Sequence, residues 1–413
     1  MNTAAEKNSY YAYLLFLVWP FLALISALKN YRMPWAKNIF WVFCMFYGFM
    51  FVVDYDSSRD IVRIIAGFQR IYGLDITLSE FLSSSERADF FRLIIDYTLS
   101  RFTDNPAILT LVYAAVFGFF LSRNIWYILE RLQGQLMPVT IFLLVCFFLL
   151  NPIWNINGFR MWTAAQIFLY GLLPFLCEGK KKGLIFSIGS IFVHFSFLVP
   201  VLVLLIYTIA GNRLTAYYIF YIVAFFISEI DIVAFNMFIE TYAPEIIQDR
   251  TRGYRGEASV VQYREEISDN VWYARWYQPA LNLVIMGFLS LFYFTGRNFF
   301  KENQNWMNLF CFALLFYGVA YLFSSLPSGA RFLVVGNMAA LALIILYIQN
   351  RPKEKLMKWY IWISSPALLL FFAVAVRLGL DSISVTSVIG NLFIAFFSTG
   401  IDFSLWELIR MIR

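Results

Sequence analysis

The stretch Leu184-Ile-Phe-Ser-Ile-Gly-Ser-Ile-Phe-Val-His194-Phe-Ser-Phe-Leu-Val-Pro200-Val-Leu-Val-Leu-Leu-Ile-Tyr-Thr-Ile-Ala210 decides how this chain is threaded. Read as a single helix, it carries the basic loop 351–358 to the outer side of a membrane, although lysine and arginine collect in cytoplasmic loops. Read as two short passes that meet near 194–200, it returns that loop to the cytoplasm. Short, broken helices occur where irregular backbone lines a cavity. We therefore predict a helix over 184–210 that is broken near His194.

The rest of the chain is a series of similar apolar runs, and 61% of its 413 residues are apolar. Only helices and closed barrels satisfy backbone hydrogen bonds in lipid, and these runs are too long and apolar for barrel strands. The pattern predicts an all-α polytopic integral membrane protein, a single transmembrane domain over 1–413 with about 12–13 passes. The other predicted spans are 10–28, 38–53, 105–122, 136–150, 161–177, 215–239, 278–296, 306–324, 332–349, 359–377 and 383–398.

Lysine and arginine are distributed unequally between the two predicted faces. From an outer N-terminus, every lysine except Lys7 falls on the cytoplasmic face, whereas the outer face keeps many arginines. The preference of basic residues for cytoplasmic loops explains the lysines but not the arginines. Because arginine makes forked, two-point contacts with phosphate and carboxylate, the pattern indicates an anionic substrate at the outer face.

Two predicted outer loops are long enough to have a function of their own. Residues 54–104 contain amphipathic stretches that we expect to lie as helices along the interface, and residues 241–276 are rich in charges of both signs. We expect 406–413 to form an amphipathic helix on the inner surface. The net charge of +6 comes from the cytoplasmic loops and gives no support to nucleic-acid binding. Cysteines without CxxC spacing and a single histidine predict no metal site, and we expect no cofactor.

Three residues are candidates for catalysis. Arg160 ends the loop Asn151-Pro-Ile-Trp-Asn-Ile-Asn-Gly-Phe-Arg160 and opens a helix, and Arg331 follows 324–330 in the same way. The charge of an arginine there is repelled by the positive end of the helix dipole unless both interact with the same anion. The alternative interpretation is an interfacial arginine that reaches toward lipid headgroups. His194, the only histidine, lies at the predicted break and suits a general base or a neutral hydrogen-bond partner. A lone histidine in an apolar run is also often a packing residue.

Other residues are weaker candidates for substrate binding. Asp54 and Asp60 follow the second span, where carboxylates suit sugar hydroxyls, but an exposed acidic loop is the simpler interpretation. Arg275 lies among tryptophans and tyrosines at a predicted membrane boundary, where aromatic belts are common. Glu229 falls inside a predicted span, where a carboxylate is costly and is expected to pair with an arginine.

Several short motifs resemble a known family in their order and spacing over most of the chain. They are Val53-Asp54-Tyr55-Asp56, Asn157-Gly-Phe-Arg-Met-Trp-Thr-Ala-Ala165, the lysines at 180–182, His194-Phe-Ser196 and Ala330-Arg-Phe332. Together they resemble the EpsG-like family of Wzy-type polysaccharide polymerases. The resemblance implies a GT-C-like glycosyltransferase architecture in the bacterial cytoplasmic membrane, with the active site facing the periplasm or the outside.

The reaction that this resemblance implies moves a growing glycan from undecaprenyl pyrophosphate to the non-reducing end of a lipid-linked repeat unit. Donor and acceptor are then both oligosaccharides linked to undecaprenyl pyrophosphate, and a chain-length regulator is a candidate protein partner. By the same resemblance, Arg160 and Arg331 would grip the pyrophosphate, and His194 would orient or deprotonate the acceptor hydroxyl. Asp54 could act on the acceptor side, and Asn157 in the matched motif is a further substrate-binding candidate.

Three other functions stay open. A flippase or transporter for lipid-linked oligosaccharides would also use arginines, but it should show repeat symmetry and charges toward both halves of the membrane. A membrane acyltransferase could use a lone histidine but would need an entry for a thioester. An O-antigen ligase, which delivers glycans to a lipid core, is the nearest competitor, and the sequence does not separate it from a polymerase.

Overall fold

The structure, a computed structural model, describes residues 2–55, 60–83, 89–227, 241–242, 271–324, 326, 328–351, 354–398 and 403–412. In these residues the regular elements are helices, apart from one antiparallel bridge between Ser384 and Ser404. The prediction of an all-α polytopic membrane protein is confirmed. The helices are α1 (Asn2–Val18), α2 (Pro20–Lys29), α3 (Ala36–Phe49), α4 (Asp60–Ile71), α5 (Leu78–Ser83), α6 (Phe90–Ser100), α7 (Pro106–Leu129), α8 (Pro138–Leu150), α9 (Phe159–Glu178), α10 (Lys182–Val193), α11 (Leu198–Ala210), α12 (Leu214–Ile227), α13 (Trp272–Phe294), α14 (Arg297–Glu302), α15 (Gln304–Phe323), α16 (Arg331–Asn350), α17 (Lys355–Leu380), α18 (Val385–Ile389), α19 (Leu392–Ser398) and α20 (Leu405–Ile412).

Helices α9 and α10 form a close antiparallel pair. The chain reverses at Gly179, whose φ of 65° is left-handed and therefore favours glycine. Gly171 and Gly183 let the two backbones touch, because a Cβ on either would lie 2.3 Å from the carbonyl oxygen of the other. Further along, the Ser187 hydroxyl donates to the carbonyl of Phe168 at 3.1 Å. This pairing brings the end of α10 to the level of the start of α9.

The helix over 184–210 is broken at His194, as the sequence predicts. α10 ends one residue earlier, and His194 itself has extended backbone, with φ −149° and ψ 119°. A single turn of 3₁₀-helix, Phe195–Phe197, follows before α11 begins. Pro200 lies in the first turn of α11, where its missing N–H removes no helical hydrogen bond. The sequence thus ends one helix and starts another within four residues.

Helix α11 returns to the end of the bundle at which α10 begins. Just beyond its C-terminal end, Asn212 accepts a hydrogen bond from Tyr207 at 2.7 Å and donates one to Asn308 at 2.8 Å. Asn308 in turn donates to the carbonyl of Leu176 at 3.1 Å, near the end of α9. α10 and α11 are therefore two short arms that meet at His194, which is the arrangement predicted from the charge pattern.

Contacts between loops define one end of the bundle. Lys37 pairs with Glu130 at 3.2 Å, and Glu178 pairs with both Arg131 and Lys180. These contacts join the loops 30–37, 130–137 and 178–182, which the sequence predicts on one face. We call this end the lysine end and the opposite one, at which α9 and α16 begin, the arginine end. That the lysine end faces the cytoplasm stays a prediction.

Six helical segments in the described part of the chain are long and apolar enough to cross a membrane. One of them, Pro138–Glu178, comprises α8, a 3₁₀ turn and α9, and five shorter apolar helices of 10–17 residues accompany them. α16 is the central one, since its candidate span is 100% buried inside the protein. The pass count of 12–13 and the GT-C-like architecture stay predictions.

The predicted last span, 383–398, is wrong. It forms two short helices, α18 and α19, separated by Gly390, whose ψ of 177° is not helical. Neither helix is long enough to cross a bilayer. Before α18, the backbone carbonyl of Ser382 accepts a hydrogen bond from the backbone N–H of Val52 at 3.3 Å, at the arginine end of α3.

The C-terminal helix consequently lies at the arginine end, so the prediction that it shares the inner surface with the lysine-rich loops is wrong. Ser404 bridges to Ser384, and the Arg377 guanidinium lies 3.4 Å from the centroid of the Trp406 ring. Arg377 belongs to the last turn of α17, a helix that begins at the lysine end. A chain that does not cross after α17 keeps its C-terminal helix on the side that α17 reaches.

The predicted outer loop 54–104 does contain helices, α4, α5 and α6, but α6 does not simply lie along an interface. Arg92 and Asp96 on α6 are 7% and 4% exposed, whereas Phe90 and Ile94 on its other faces are exposed. The charged face of α6 is thus turned into the protein. The second long loop, 241–276, falls mostly outside the described residues, and α13 begins within it at Trp272.

Candidate active site

A network of buried amides holds the loop that leads to Arg160. The Nδ2 of Asn124 on α7 donates to Gln166 Oε1 at 2.7 Å, and Gln166 Nε2 donates to the carbonyl of Asn151 at 3.2 Å. Asn151 Nδ2 donates to the carbonyl of Trp162 at 3.0 Å, and its Oδ1 accepts from Asn155 at 3.0 Å. Buried polar groups fully joined in this way give a loop a single conformation. The start of α9 is therefore a rigid platform.

Aromatic stacking fixes the residue before Arg160. Phe159 is fully buried, and its ring lies parallel to that of Tyr113 on α7, with ring centroids 3.9 Å apart. Gly158 permits the close turn before it, since a Cβ there would lie 2.9 Å from the Trp162 ring. Arg160 consequently leaves α9 in a direction set by the packing of its neighbours.

Asp89 joins the two sequence-predicted residues Arg160 and His194. Its Oδ2 lies 2.5 Å from Nη1 of Arg160, and its Oδ1 lies 3.3 Å from Nδ1 of His194. Oδ1 also accepts the backbone N–H of Phe195 at 3.0 Å, a donor freed by the helix break. The three side chains are largely buried, with exposed fractions of 8% for Asp89, 22% for Arg160 and 17% for His194. One carboxylate thus ties the start of α9 to the break between α10 and α11.

The charge state of Asp89 follows from these contacts. Burial by itself favours the neutral acid, but the hydrogen bond and charge of His194, the charge of Arg160 and the Phe195 N–H outweigh it and hold the pKa of Asp89 well below its ordinary value. An ionised Asp89 accepts only, so the Nδ1 of His194 must carry the proton between them. When the ring is neutral, Nε2 is left with a free lone pair.

A second buried carboxylate, Asp96, lies further along α6. Arg92 Nε approaches Asp96 Oδ2 at 3.4 Å, and the Tyr113 hydroxyl donates to Asp96 Oδ1. Burial raises the pKa of Asp96 to about 6, against the opposing charges of Arg92 and Arg160. Tyr113 therefore contacts both parts of the site, because its ring stacks on Phe159, the residue before Arg160, and its hydroxyl hydrogen-bonds to Asp96.

The third predicted catalytic residue, Arg331, is not part of this cluster. It opens α16 at the arginine end, as predicted, and is exposed. The loop before it is tightly wound, with Ser328 at a left-handed φ of 63°. Among the residues that the structure describes, no hydrogen bond or ion pair joins its guanidinium to another group. Arg331 is thus an arginine at a helix start that has no counter-charge among the described residues.

The weaker candidates are scattered. Asp54 is exposed just beyond α3, and Asp60 opens α4 and pairs with Arg63 at 2.5 Å. Arg275 is exposed in the first turn of α13, and Glu229 lies outside the described residues. The structure therefore does not bring Asp54, Asp60 or Arg275 to the buried cluster by any contact among its described residues.

Asn157 lies closer to the cluster in the chain. It belongs to the 3₁₀ turn directly before α9, and its Oδ1 is buried without a hydrogen-bond donor among the described residues. A buried acceptor without a donor costs free energy unless a ligand supplies one. This atom is the feature of Asn157 that suits a substrate hydroxyl.

Sequence reasoning missed Asp89, Arg92 and Asp96, although a signal was present. These charges recur at positions 89, 92 and 96, which is the spacing of one helix face, while the intervening residues are apolar. Such a stretch is ambiguous, because an interfacial helix and a helix with a charged inner face have the same periodicity. Only the packing of α6 against α10 and the start of α9 separates the two.

The fold and the buried cluster define a polytopic membrane protein with a charged site near one end of its helical bundle. Residues 39–386 match the EpsG family of polysaccharide polymerase-like membrane proteins, and the chain belongs to this family. The matched range includes Asp89, Arg160, His194 and Arg331. None of the curated proteins and none of the solved structures matches the chain. The protein is thus a membrane protein of polysaccharide biosynthesis.

Proposed function

We propose that this protein is a polysaccharide polymerase that transfers a growing glycan from undecaprenyl pyrophosphate to the non-reducing end of a lipid-linked repeat unit. The reaction takes place at the arginine end, which faces the outside of the bacterial cytoplasmic membrane. The observation that supports it most directly is the contact of Asp89 with both Arg160 and His194. A histidine oriented by a buried carboxylate, beside an arginine, suits activation of a hydroxyl next to an anionic leaving group.

Asp89 and His194 act on the acceptor. Asp89 accepts the Nδ1–H of His194 and so presents Nε2 as the free ring nitrogen. The acceptor hydroxyl donates to Nε2 and gives up its proton there as its oxygen bonds to the anomeric carbon of the donor glycan. The bond from that carbon to the pyrophosphate oxygen breaks, and its electron pair leaves with the pyrophosphate. The His194 imidazolium, stabilised by Asp89, then releases the proton to solvent.

The arginines act on the leaving group. Arg160 gives one N–H to Asp89, so its remaining N–H groups are available to a phosphate oxygen while its position stays fixed. Arg331 has no counter-charge among the described residues and supplies the second positive charge. Stabilising the charge that develops on pyrophosphate is worth a few kcal/mol for each well-placed donor. Two arginines on separate helices can hold both phosphates.

Substitution of His194 tests the acceptor step. We expect His194→Ala to abolish polymer while single-repeat lipid-linked units accumulate, and His194→Gln to be nearly as damaging because an amide takes no proton at useful pH. Ser196→Ala is a matched control at the same break, since among the described residues the Ser196 hydroxyl hydrogen-bonds only to the Met161 sulfur, at 3.7 Å. Wild-type turnover of lipid-linked repeat units by purified His194→Ala would remove His194 from the mechanism. Substantial rescue by glutamine would leave it an orienting role only.

Deletion and complementation with glycan profiling separate the proposed polymerase from related functions. A ladder that collapses to one repeat unit supports a polymerase. Loss of every attached form, including single units, indicates an O-antigen ligase or a flippase instead. The proposal fails if the deletion strain keeps a normal ladder.

A further inference from the structure

A second charged site lies at the opposite end of the bundle from the proposed active site. A cavity of about 400 Å³ opens there between α3, α7, α9 and α10. Its basic lining residues are Lys37, Arg123, Arg131, Lys180 and Lys182. Its acidic lining residues are Glu130 and Glu178. None of these residues belongs to the site proposed for glycan transfer.

The acidic residues neutralise only part of this positive charge. Glu130 pairs with Lys37 at 3.2 Å, and Glu178 is shared between Arg131 and Lys180. Arg123 and Lys182 have no carboxylate partner among the residues that the structure describes. The cavity therefore keeps an excess of positive charge after its internal ion pairs are made.

The positive charge of Arg123, which no acidic lining residue neutralises, costs free energy. It lies in α7, six positions before the last residue of that helix, or about 9 Å from the helix end at 1.5 Å per residue. Its Nη2 donates to Asn38 Oδ1 at 2.8 Å, and its guanidinium lies 4.2 Å from the Phe119 ring centroid. These are neutral partners. A half-buried cation at this depth in a transmembrane helix normally has an anion as its counterpart.

The walls of the cavity identify the side from which a ligand enters. Tyr170 and Phe186 line it with their rings 5.0 Å apart at right angles, and Phe186 is 42% exposed on the outer surface of α10. Trp126 and Tyr127 continue this aromatic surface. Aromatic rings at the level of a basic cavity are typical of the headgroup region of a bilayer. Such a wall suits a ligand that approaches from the lipid side of α10.

We propose that this cavity binds a phosphate group, held by Arg123 and Lys182 and carried by the headgroup of an anionic phospholipid or by a soluble phosphate compound. Its aromatic wall, with Phe186 exposed on the surface of α10, fits the phospholipid better. Basic pockets between transmembrane helices are known to bind anionic headgroups. The bound phosphate would supply the negative charge that the described residues around Arg123 and Lys182 do not provide.

Two adjacent lysines make a matched pair of variants. Lys182 lines the cavity and Lys181 does not, although both are exposed and carry the same charge. The purified full chain in neutral detergent is titrated with phosphatidylglycerol, with phosphatidylcholine and with inorganic phosphate, and binding is followed by native mass spectrometry and thermal stability. We expect saturable binding of phosphatidylglycerol that Lys182→Gln weakens about fivefold and Lys181→Gln leaves unchanged. Arg123→Gln should weaken it more than about tenfold.

The arms of the titration distinguish the sources of the phosphate. Saturable binding of phosphatidylglycerol alone supports a lipid site, and the same pattern of variants with inorganic phosphate supports a soluble ligand. Equal weakening by Lys181→Gln and Lys182→Gln, or binding of phosphatidylcholine as tight as that of phosphatidylglycerol, would overturn the proposal. The Lys182→Gln arm keeps the test valid even where Arg123→Gln does not fold, because Lys182 is on the surface.

Discussion

Asp89→Asn is the substitution that most directly tests the buried cluster. The amide keeps the size of the side chain. Its oxygen can still accept the hydrogen bond that the Phe195 N–H donates to Asp89 Oδ1 at 3.0 Å in the wild type. It removes the negative charge that faces Arg160 at 2.5 Å and His194 at 3.3 Å. The change therefore isolates the charge of Asp89 from its shape.

The expected magnitude follows from how deeply the pair is buried. Removing one partner of a buried ion pair costs about 3–5 kcal/mol, because the remaining charge is left uncompensated. Arg160 is 22% exposed and can regain some water, so we expect a loss at or just below the lower limit of this range, about 2–3 kcal/mol of stability. The loss of histidine orientation should reduce turnover by about 10²-fold or more, which is the usual contribution of a positioned general base.

The assay compares polymer formation by purified variants on lipid-linked repeat units, at matched amounts of folded protein. Asp104→Asn is the control, since Asp104 is an exposed aspartate of the same predicted outer loop. A double variant with His194→Ala gives the decisive readout. If Asp89 acts through His194, the residual single-transfer turnover of the purified double variant should be no lower than that of His194→Ala alone.

Two results would refute this reasoning. Turnover within about twofold of wild type in Asp89→Asn, with normal thermal stability, would mean that the carboxylate neither orients His194 nor compensates Arg160. Losses in activity that simply multiply in the double variant would mean that Asp89 and His194 act independently.

Three further predictions concern the arginines, the topology and pH. Arg160→Lys and Arg331→Lys keep the charge but lose forked contact, so both should lose most polymer while remaining in the membrane, and near-normal ladders would contradict this. An impermeant thiol reagent applied to intact cells should label Arg410→Cys and not Lys355→Cys, because these residues lie at opposite ends of the bundle. Labelling of Lys355→Cys would show that the lysine end faces outward and would contradict the predicted orientation. The folded-state pKa of Asp96 is raised to about 6, so the contribution of Asp96 to stability should fall as pH rises from about 4 to 6. The thermal stability of wild type relative to Asp96→Asn should therefore decline over that window. A difference that stays constant with pH would contradict this prediction.

The sequence was sufficient for the overall class and for much of the topology. Long apolar runs leave helices as the only structure that satisfies the backbone in lipid, so the fold class followed from composition and run length. The break at His194 was inferred from a distant loop, 351–358, whose charge is favourable on only one side of a membrane. Pro200 supports this break locally, because proline prefers the first turn of a helix.

The local pattern of apolar and charged residues does not determine at which end of the bundle the C-terminal helix lies. Residues 383–398 are apolar enough for a span, yet Gly390 divides them into two helices that do not cross. The bridge between Ser384 and Ser404 and the contact of Arg377 with Trp406 hold the last helix at the arginine end. These contacts join residues far apart in the chain and leave no mark in local hydropathy.

The candidate site divides in the same way. Arg160 and His194 were identifiable from the sequence because an arginine at a helix start and a histidine in an apolar run are each unfavourable without a partner. The partner, Asp89, was not identifiable, because it precedes a helix whose pattern equally fits a membrane surface. Periodicity tells which residues share a helix face, but only tertiary packing decides whether that face meets lipid, water or the protein interior, and in α6 the charged face meets the interior.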